Sequence, residues 1–270
     1  MRAQVAAIHA HETGARRARD PEEVHQVRVA VRRLRAILRA SRPLFVEEWV
    51  AGLRRELDWL GSALGRLRDL DVLRAHLRSQ LGRGAAGGRA ARERLLGRLA
   101  ADRERATAAL RAVLAGRRHA RLLARLDAAV GDPPLRADDD VSLPDIAAAE
   151  FDKLRRAVKR LPKHPSAEEL HAIRIKVKRA RYAAELAQPL LGRRNERFIE
   201  RARKVQDILG EHQDAITAER YIRRAIGSGP AARRLARQLI GREAERRDAA
   251  REAFAEQWPK LKRRGRRALG

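Results

Sequence analysis

The chain has no cysteine, and aromatic residues make up 3% of its 270 positions. The first absence excludes disulfides and thiolate metal sites, and fits a reducing compartment. The second leaves a core of Leu, Ala, Val and Ile, a mixture that suits helices and disfavours sheets. It also leaves few platforms for stacking bases: Tyr182, Tyr221, four Phe and three Trp. No apolar run approaches the ~20 residues of a membrane span. The N-terminal MRAQVAAIHAHETG is interrupted by His9, His11 and Glu12 before a signal-peptide core accumulates. A soluble, cytoplasmic, all-α protein is expected.

Negative charge is also scarce. Asp and Glu number 35 against 62 Lys and Arg, a formal charge of +27. Such a field calls for an anionic partner. Arginine supplies 54 of the cations and lysine 8. The planar guanidinium fork suits phosphate oxygens, although a GC-rich genome also raises arginine, so placement carries the argument.

Two segments repeat. His25-Gln-Val-Arg28-Val-Ala-Val-Arg32-Arg33-Leu-Arg35 pairs position by position with His171-Ala-Ile-Arg174-Ile-Lys-Val-Lys178-Arg179-Ala-Arg181, at an offset of 146 residues. Leu64-Gly65-Arg66-Leu67-Arg68-Asp69 pairs with Leu209-Gly210-Glu211-His212-Gln213-Asp214 at an offset of 145. Two matched blocks at one spacing indicate an internal duplication. The division expected is a first helical half over 1–131, a linker over 132–142, a second half over 143–258 and a disordered basic tail over 259–270. Gly131-Asp-Pro-Pro-Leu-Arg-Ala-Asp-Asp-Asp140 marks the break, and Gly82–Gly88 reads as a loop inside the first half.

Capping patterns at Asp20-Pro21-Glu22-Glu23, Ser142-Leu-Pro144-Asp145 and Ser166-Ala-Glu-Glu169 mark helix starts. Helices are predicted at 2–18, 21–41, 46–64, 67–81, 88–115 and 117–130, then at 143–161, 167–190, 193–210, 212–226 and 230–258.

On a helix, His25, Arg28, Arg32, Arg35 and Arg39 fall within an arc of about 80°, beside an apolar edge of Val27, Val31, Leu34 and Leu38. The second copy places His171, Arg174, Lys178 and Arg181 in the same way beside Ile173 and Val177. Like charges at these spacings repel unless something negative compensates them. A solvated basic face, or neutralisation by acidic side chains of adjacent helices, is the plainer alternative. Arg33 and Arg179 lie off the stripe and Lys176 farther round. Arg68 and His212, in the second blocks, are candidates of lower rank. Asp69, Asp71, Asp207 and Asp214 would orient stripe arginines or hold Mg²⁺; no carboxylate set with metal spacing converges, and no metal or cofactor is expected. His9-Ala-His11 lacks ligand spacing on a helix. His25 and His171 would either donate to phosphate, more strongly once protonated below pH ~6.5, or cap and pack their helices.

These motifs resemble those of the CHAD family, the conserved histidine α-helical domain. They are His25–Arg35, Leu64–Asp71, His171 through Arg174, Lys178, Arg179, Arg181, Tyr182 and Glu185, and Gln206-Asp-Ile-Leu-Gly210-Glu-His-Gln-Asp214. The resemblance spans essentially the whole chain. It implies a pseudo-symmetric pair of antiparallel helical bundles meeting at a central basic groove, and non-catalytic binding of inorganic polyphosphate with association to polyphosphate granules. Glu211-His212-Gln213 departs from Arg66-Leu67-Arg68, so unequal halves are expected.

Phosphate-backbone binding of DNA or RNA, at least at low salt, is the second reading. A metal-dependent phosphohydrolase built on Asp69 and Asp214 is the third, without a nucleophile set or a Gly-rich phosphate loop to support it. An anionic membrane surface fits least, since the apolar edges are needed for the core. On the polyphosphate reading Arg28 and Arg174 should matter far more than the off-stripe pair Arg94 and Arg242.

Overall fold

The computed structural model describes residues 1–82, 88–136 and 142–270. Among them every regular element is helical, apart from an isolated bridge between Phe45 and Leu135. The helices are α1 (Arg2–Arg17), α2 (Pro21–Ala40), α3 (Glu47–Gly82), α4 (Arg89–Ala115), α5 (Arg117–Gly131), α6 (Leu143–Lys159), α7 (Ala167–Ala225) and α8 (Pro230–Leu269), with a short 3₁₀ turn at Arg42–Leu44. Two compact units result, Met1–Ser79 with Leu96–Asp140, and Gln80–Leu95 with Val141–Gly270. The second unit therefore takes in the end of α3 and the start of α4, which the predicted division at 131 assigns to the first half. Most of the predicted linker and loop, residues 137–141 and 83–87, lies outside the described residues.

In the first unit the predicted start of α2 forms as capped. Asp20 accepts from the Glu22 amide at 2.8 Å and Pro21 opens the helix, where its missing N–H has no intrahelical acceptor to lose. The apolar edge of α2, Val24, Val27, Val31, Leu34 and Leu38, is buried against Leu53, Leu57, Leu60, Leu64 and Leu67 of α3. Ile8 of α1 and Leu122 and Leu126 of α5 complete that core. With the apolar edge committed inward, the neighbouring edge is left at the surface, as the 100° step requires.

In the second unit Ser166 and Glu169 form a reciprocal capping box, with the Glu169 amide donating to Ser166 Oγ at 3.1 Å and Glu169 accepting from the Ser166 amide at 2.7 Å. Ile173, Val177, Ala180 and Ala184 of α7 pack with Phe198, Ala202, Val205 and Leu209 of the same helix beyond its kink. The kink is at Gly192, whose φ of 63° and ψ of −158° suit a residue without Cβ. It follows Pro189, which removes a backbone donor.

Three predicted boundaries are corrected. The segments 46–64 and 67–81 form one helix, and so do 193–210 and 212–226. Gly65, between the first two segments, and Gly210, at the end of the third, are helical, because an interior glycine costs only about 1 kcal/mol against alanine. Residues 259–270 do not form a disordered tail: α8 runs through Pro259 to Leu269, with Leu261 and Gly265 buried. The reason is packing. A Cβ on Gly265 would stand 2.2 Å from the Phe151 ring, so glycine is what lets α8 close on α6.

Candidate anion-binding stripes

Each unit brings its two sequence blocks together by the same contact. The Arg28 guanidinium lies over Gly65, with Nε 3.8 Å from where a Cβ would stand. Arg174 lies over Gly210 with Nη2 at 3.7 Å. A small residue at both positions leaves room for an arginine to lie across the helical segment packed beside it. Arg28 Nη2 then donates to Asp69 Oδ1 at 3.1 Å, the contact by which Asp69 orients the guanidinium. Asp71 instead accepts from Arg103 Nε of α4 at 2.6 Å, in a part-buried pair. No cluster of three or more metal-type ligands occurs among the described residues.

The rest of the first stripe follows α2 outward. His25, Arg28 and Arg32 are half-buried, and Arg35 and Arg39 exposed. Arg32 Nε is buried with no hydrogen-bond partner. Arg35 pairs with Asp58 and packs against Gly61. Arg33 is exposed and off the stripe, as its position on the helix predicts. Burial lowers the His25 pKa, and Arg68, Arg32 and Arg28 lower it further against the opposing pull of Glu22. Arg68, ranked low from sequence, is thus close enough to act on the stripe. The expectation that His25 charges below about 6.5 is corrected: in the free protein it stays neutral to a lower pH. Burial and then Arg39 likewise lower the pKa of Arg54, a stripe neighbour the sequence reading missed because it sits on α3.

The second stripe is not a copy. His171, exposed, has its Nδ1 3.0 Å from Gln213 Oε1, the position that is Arg68 in the first unit. Arg174 and Lys178 are half-buried and engaged with neighbours. Arg179 is half-buried, with Nε buried and unpartnered. Arg181 is a correction. It is 6% exposed, bonds Glu185 Oε1 at 2.5 Å and Gln206 Oε1 at 3.1 Å, and stacks 4.1 Å from the centre of the Tyr182 ring. The helical arc places it at the edge of the stripe, and acceptors on both arms of α7 draw it inside. His212 is a second correction. It is 1% exposed, and burial followed by Arg251 and Arg247 pushes its pKa down to about 4. It occupies the core-facing position that is Leu67 in the first block. Glu211 pairs with Arg246 of α8 at 2.7 Å.

The supposed off-stripe controls are structural too. Arg242 Nη1 donates to the Gln80 carbonyl at 2.9 Å, and Arg94 packs against Gly227, where a Cβ would stand 2.9 Å from its Nη1.

An all-helical domain with a basic helical edge in each of two units is the class these features define. The CHAD domain family model matches residues 1–223, and the chain belongs to that family. The uncharacterized proteins MT2285 and Rv2226 of Mycobacterium tuberculosis, strains CDC 1551 and H37Rv, are each 31% identical over 222 residues, 78% of this chain. The match covers 42% of their length, so the chain spans less than half of either relative. Among solved structures, PptA from Streptomyces chartreusis has a TM-score of 0.79 at 25% identity, covering 96% of both chains. The CHAD domain from the plant Ricinus communis has a TM-score of 0.68 at 25% identity, over 94% of this chain and 87% of that one.

Proposed function

We propose that the protein binds inorganic polyphosphate without catalysis, through the α2 stripe of His25, Arg28, Arg32, Arg35 and Arg39 and the α7 stripe of His171, Arg174 and Lys178. Arg33, Arg68 and Arg179 flank these positions. The observation that carries the reading is the repeated seating of Arg28 over Gly65 and Arg174 over Gly210. An arginine laid against a packed helical segment has fewer rotamers open to it, so less entropy is lost when phosphate arrives. The buried, unpartnered Nε of Arg32 and of Arg179 is a donor that a phosphate oxygen would satisfy. Displaced counterions supply further affinity.

Membership of the CHAD family supports the ligand class. Association with polyphosphate granules and a cytoplasmic location follow from the same reading. No helix among the described residues is long and apolar enough to cross a membrane.

Labelled long-chain polyphosphate, bound at ~150 mM salt, is challenged with RNA or duplex DNA of matched phosphate count. Displacement only at large excess of nucleic acid is expected. Competition on equal terms replaces the reading with general phosphate-backbone binding, which the charge of +27 favours at low salt.

A further inference from the structure

The stripes leave one strongly basic feature unused. In the second unit a cleft of about 280 Å³ is lined by Arg194, Arg197, Arg264 and Arg267. Arg194 and Arg197 lie three residues apart on α7, just past the Gly192 kink, and Arg264 and Arg267 repeat that spacing near the end of α8. Each pair therefore stands on one face of its helix.

The scaffold beneath is closely packed. Phe198, next to Arg197, meets Phe151 edge-on at 5.4 Å between ring centres. Gly265, next to Arg264, closes on the same Phe151 ring. Leu261, one turn earlier, is fully buried.

Four guanidinium groups around one cleft repel one another. Among the described residues none of the four forms an ion pair, and the nearest carboxylate in sequence, Glu196, accepts from Gln188 Nε2 at 3.1 Å. Three of the four are exposed and Arg264 is half-buried, so the forks are open to a ligand. Half of the cleft comes from α8, beyond the residues matched by the family model.

We propose that this cleft is a second anion site, distinct from the stripes, which takes a compact ligand with two or three adjacent phosphates. A monovalent anion leaves most of the four charges uncompensated. Near neutral pH pyrophosphate carries about three negative charges and tripolyphosphate about four, which approach the charge of the four arginines as a single carboxylate cannot. The planar forks can each engage two phosphate oxygens. Such a group exists free, as pyrophosphate or tripolyphosphate, and also as the end of a longer polyphosphate chain.

The test is calorimetric titration of the full chain with pyrophosphate at ~150 mM salt. Saturable binding is expected, weakened about tenfold or more by Arg197→Gln with Arg264→Gln, since each lost charge-assisted bond counts separately. Both side chains are unpaired, so the variant should keep the parent's circular dichroism. Arg28→Ala with Arg174→Ala should leave pyrophosphate affinity within about twofold. Absent saturation, unchanged binding in R197Q/R264Q, or loss in the stripe variant each overturns the proposal. Long-chain polyphosphate at equal concentration of chain ends separates the sources. Weakening by R197Q/R264Q assigns the cleft to a polymer terminus, and no weakening assigns it to the free ion. Failure of the stripe reading would show instead as unchanged long-chain binding in R28A/R174A.

Discussion

Arg28 crosses the α3 helix at Gly65, the one place along that turn where no side chain lifts its guanidinium away from the backbone. A Cβ there would meet the Arg28 Nε at an ordinary contact distance of 3.8 Å, so a methyl group fits, while a longer side chain would have to displace the guanidinium. Gly65→Ala with Gly210→Ala should keep polyphosphate affinity and raise stability by up to about 1 kcal/mol per site. Gly65→Leu with Gly210→Leu should stay folded yet bind more weakly. Melting curves and binding isotherms for the two pairs decide it; equal affinities would mean that the seat does not position the forks.

Removing the forks themselves should have the largest effect. Arg28→Ala with Arg174→Ala is expected to weaken long-chain polyphosphate about a hundredfold, from two lost charge-assisted contacts of ~1.5–3 kcal/mol each, partly compensated by neighbours. Arg98→Ala with Arg234→Ala, which removes two exposed cations, is the matched control. Similar losses from both pairs would show that charge alone, and no site, governs binding.

Arg181 should behave in the opposite way from its stripe neighbours. Arg181→Ala leaves Glu185 with Arg203 alone, strips Gln206 of its donor and empties the space over Tyr182. A destabilisation of about 1–3 kcal/mol is expected from the lost part-buried hydrogen bonds and ring contact. Among molecules that remain folded, affinity should change little. Chemical denaturation read beside binding at low temperature tests both halves of that statement.

His212 gives the second unit an acid-sensitive core. Its folded pKa, about 4, lies below the 6.5 of an ordinary histidine. The contribution to stability is therefore complete above about pH 6.5 and lost as pH falls toward 4, amounting to on the order of 3 kcal/mol. His212→Leu, the residue of the first block, should flatten the stability profile between pH 7 and 4 and leave binding intact. Denaturation midpoints across that range would be unaffected by the change if His212 were not the titrating group.

His25 responds to ligand instead. Burial and the cations Arg68, Arg32 and Arg28 hold its pKa down in the free protein. A bound polyanion offsets those cations and favours the imidazolium, so binding should take up protons and strengthen as pH falls from 7 toward 6. Imidazole resonances followed by NMR should show the His25 pKa rising on addition of polyphosphate. A fall, or no movement, would place the polymer away from His25.

Much of this was legible in the sequence. The capping box at Ser166, the proline start at Asp20 and the apolar edge beside each stripe follow from local chemistry, and the helices form there. The seating of Arg28 and Arg174 was not, because a glycine in a helix looks alike whether it ends the helix or receives an arginine from another one. Arg181 was misplaced because its acceptors Glu185 and Gln206 come from two arms of α7 that meet only after the Gly192 kink. His212 was misread as a ligand group because its burial depends on α8. That helix was itself cut short in the reading, since Pro259 and a run of arginines outweigh, locally, a single Leu261 and a glycine fitted to a ring.

The extension of α8 to Leu269 also changes what its arginines can do. Cations on a loose strand spread over many positions and must be gathered, at an entropic penalty, each time they meet a partner. Cations riding on a helix clamped by Leu261 and Gly265 stay at fixed spacing before any encounter. They act as a ruler more than a net, favouring anions whose charges match their intervals over those that merely carry more charge.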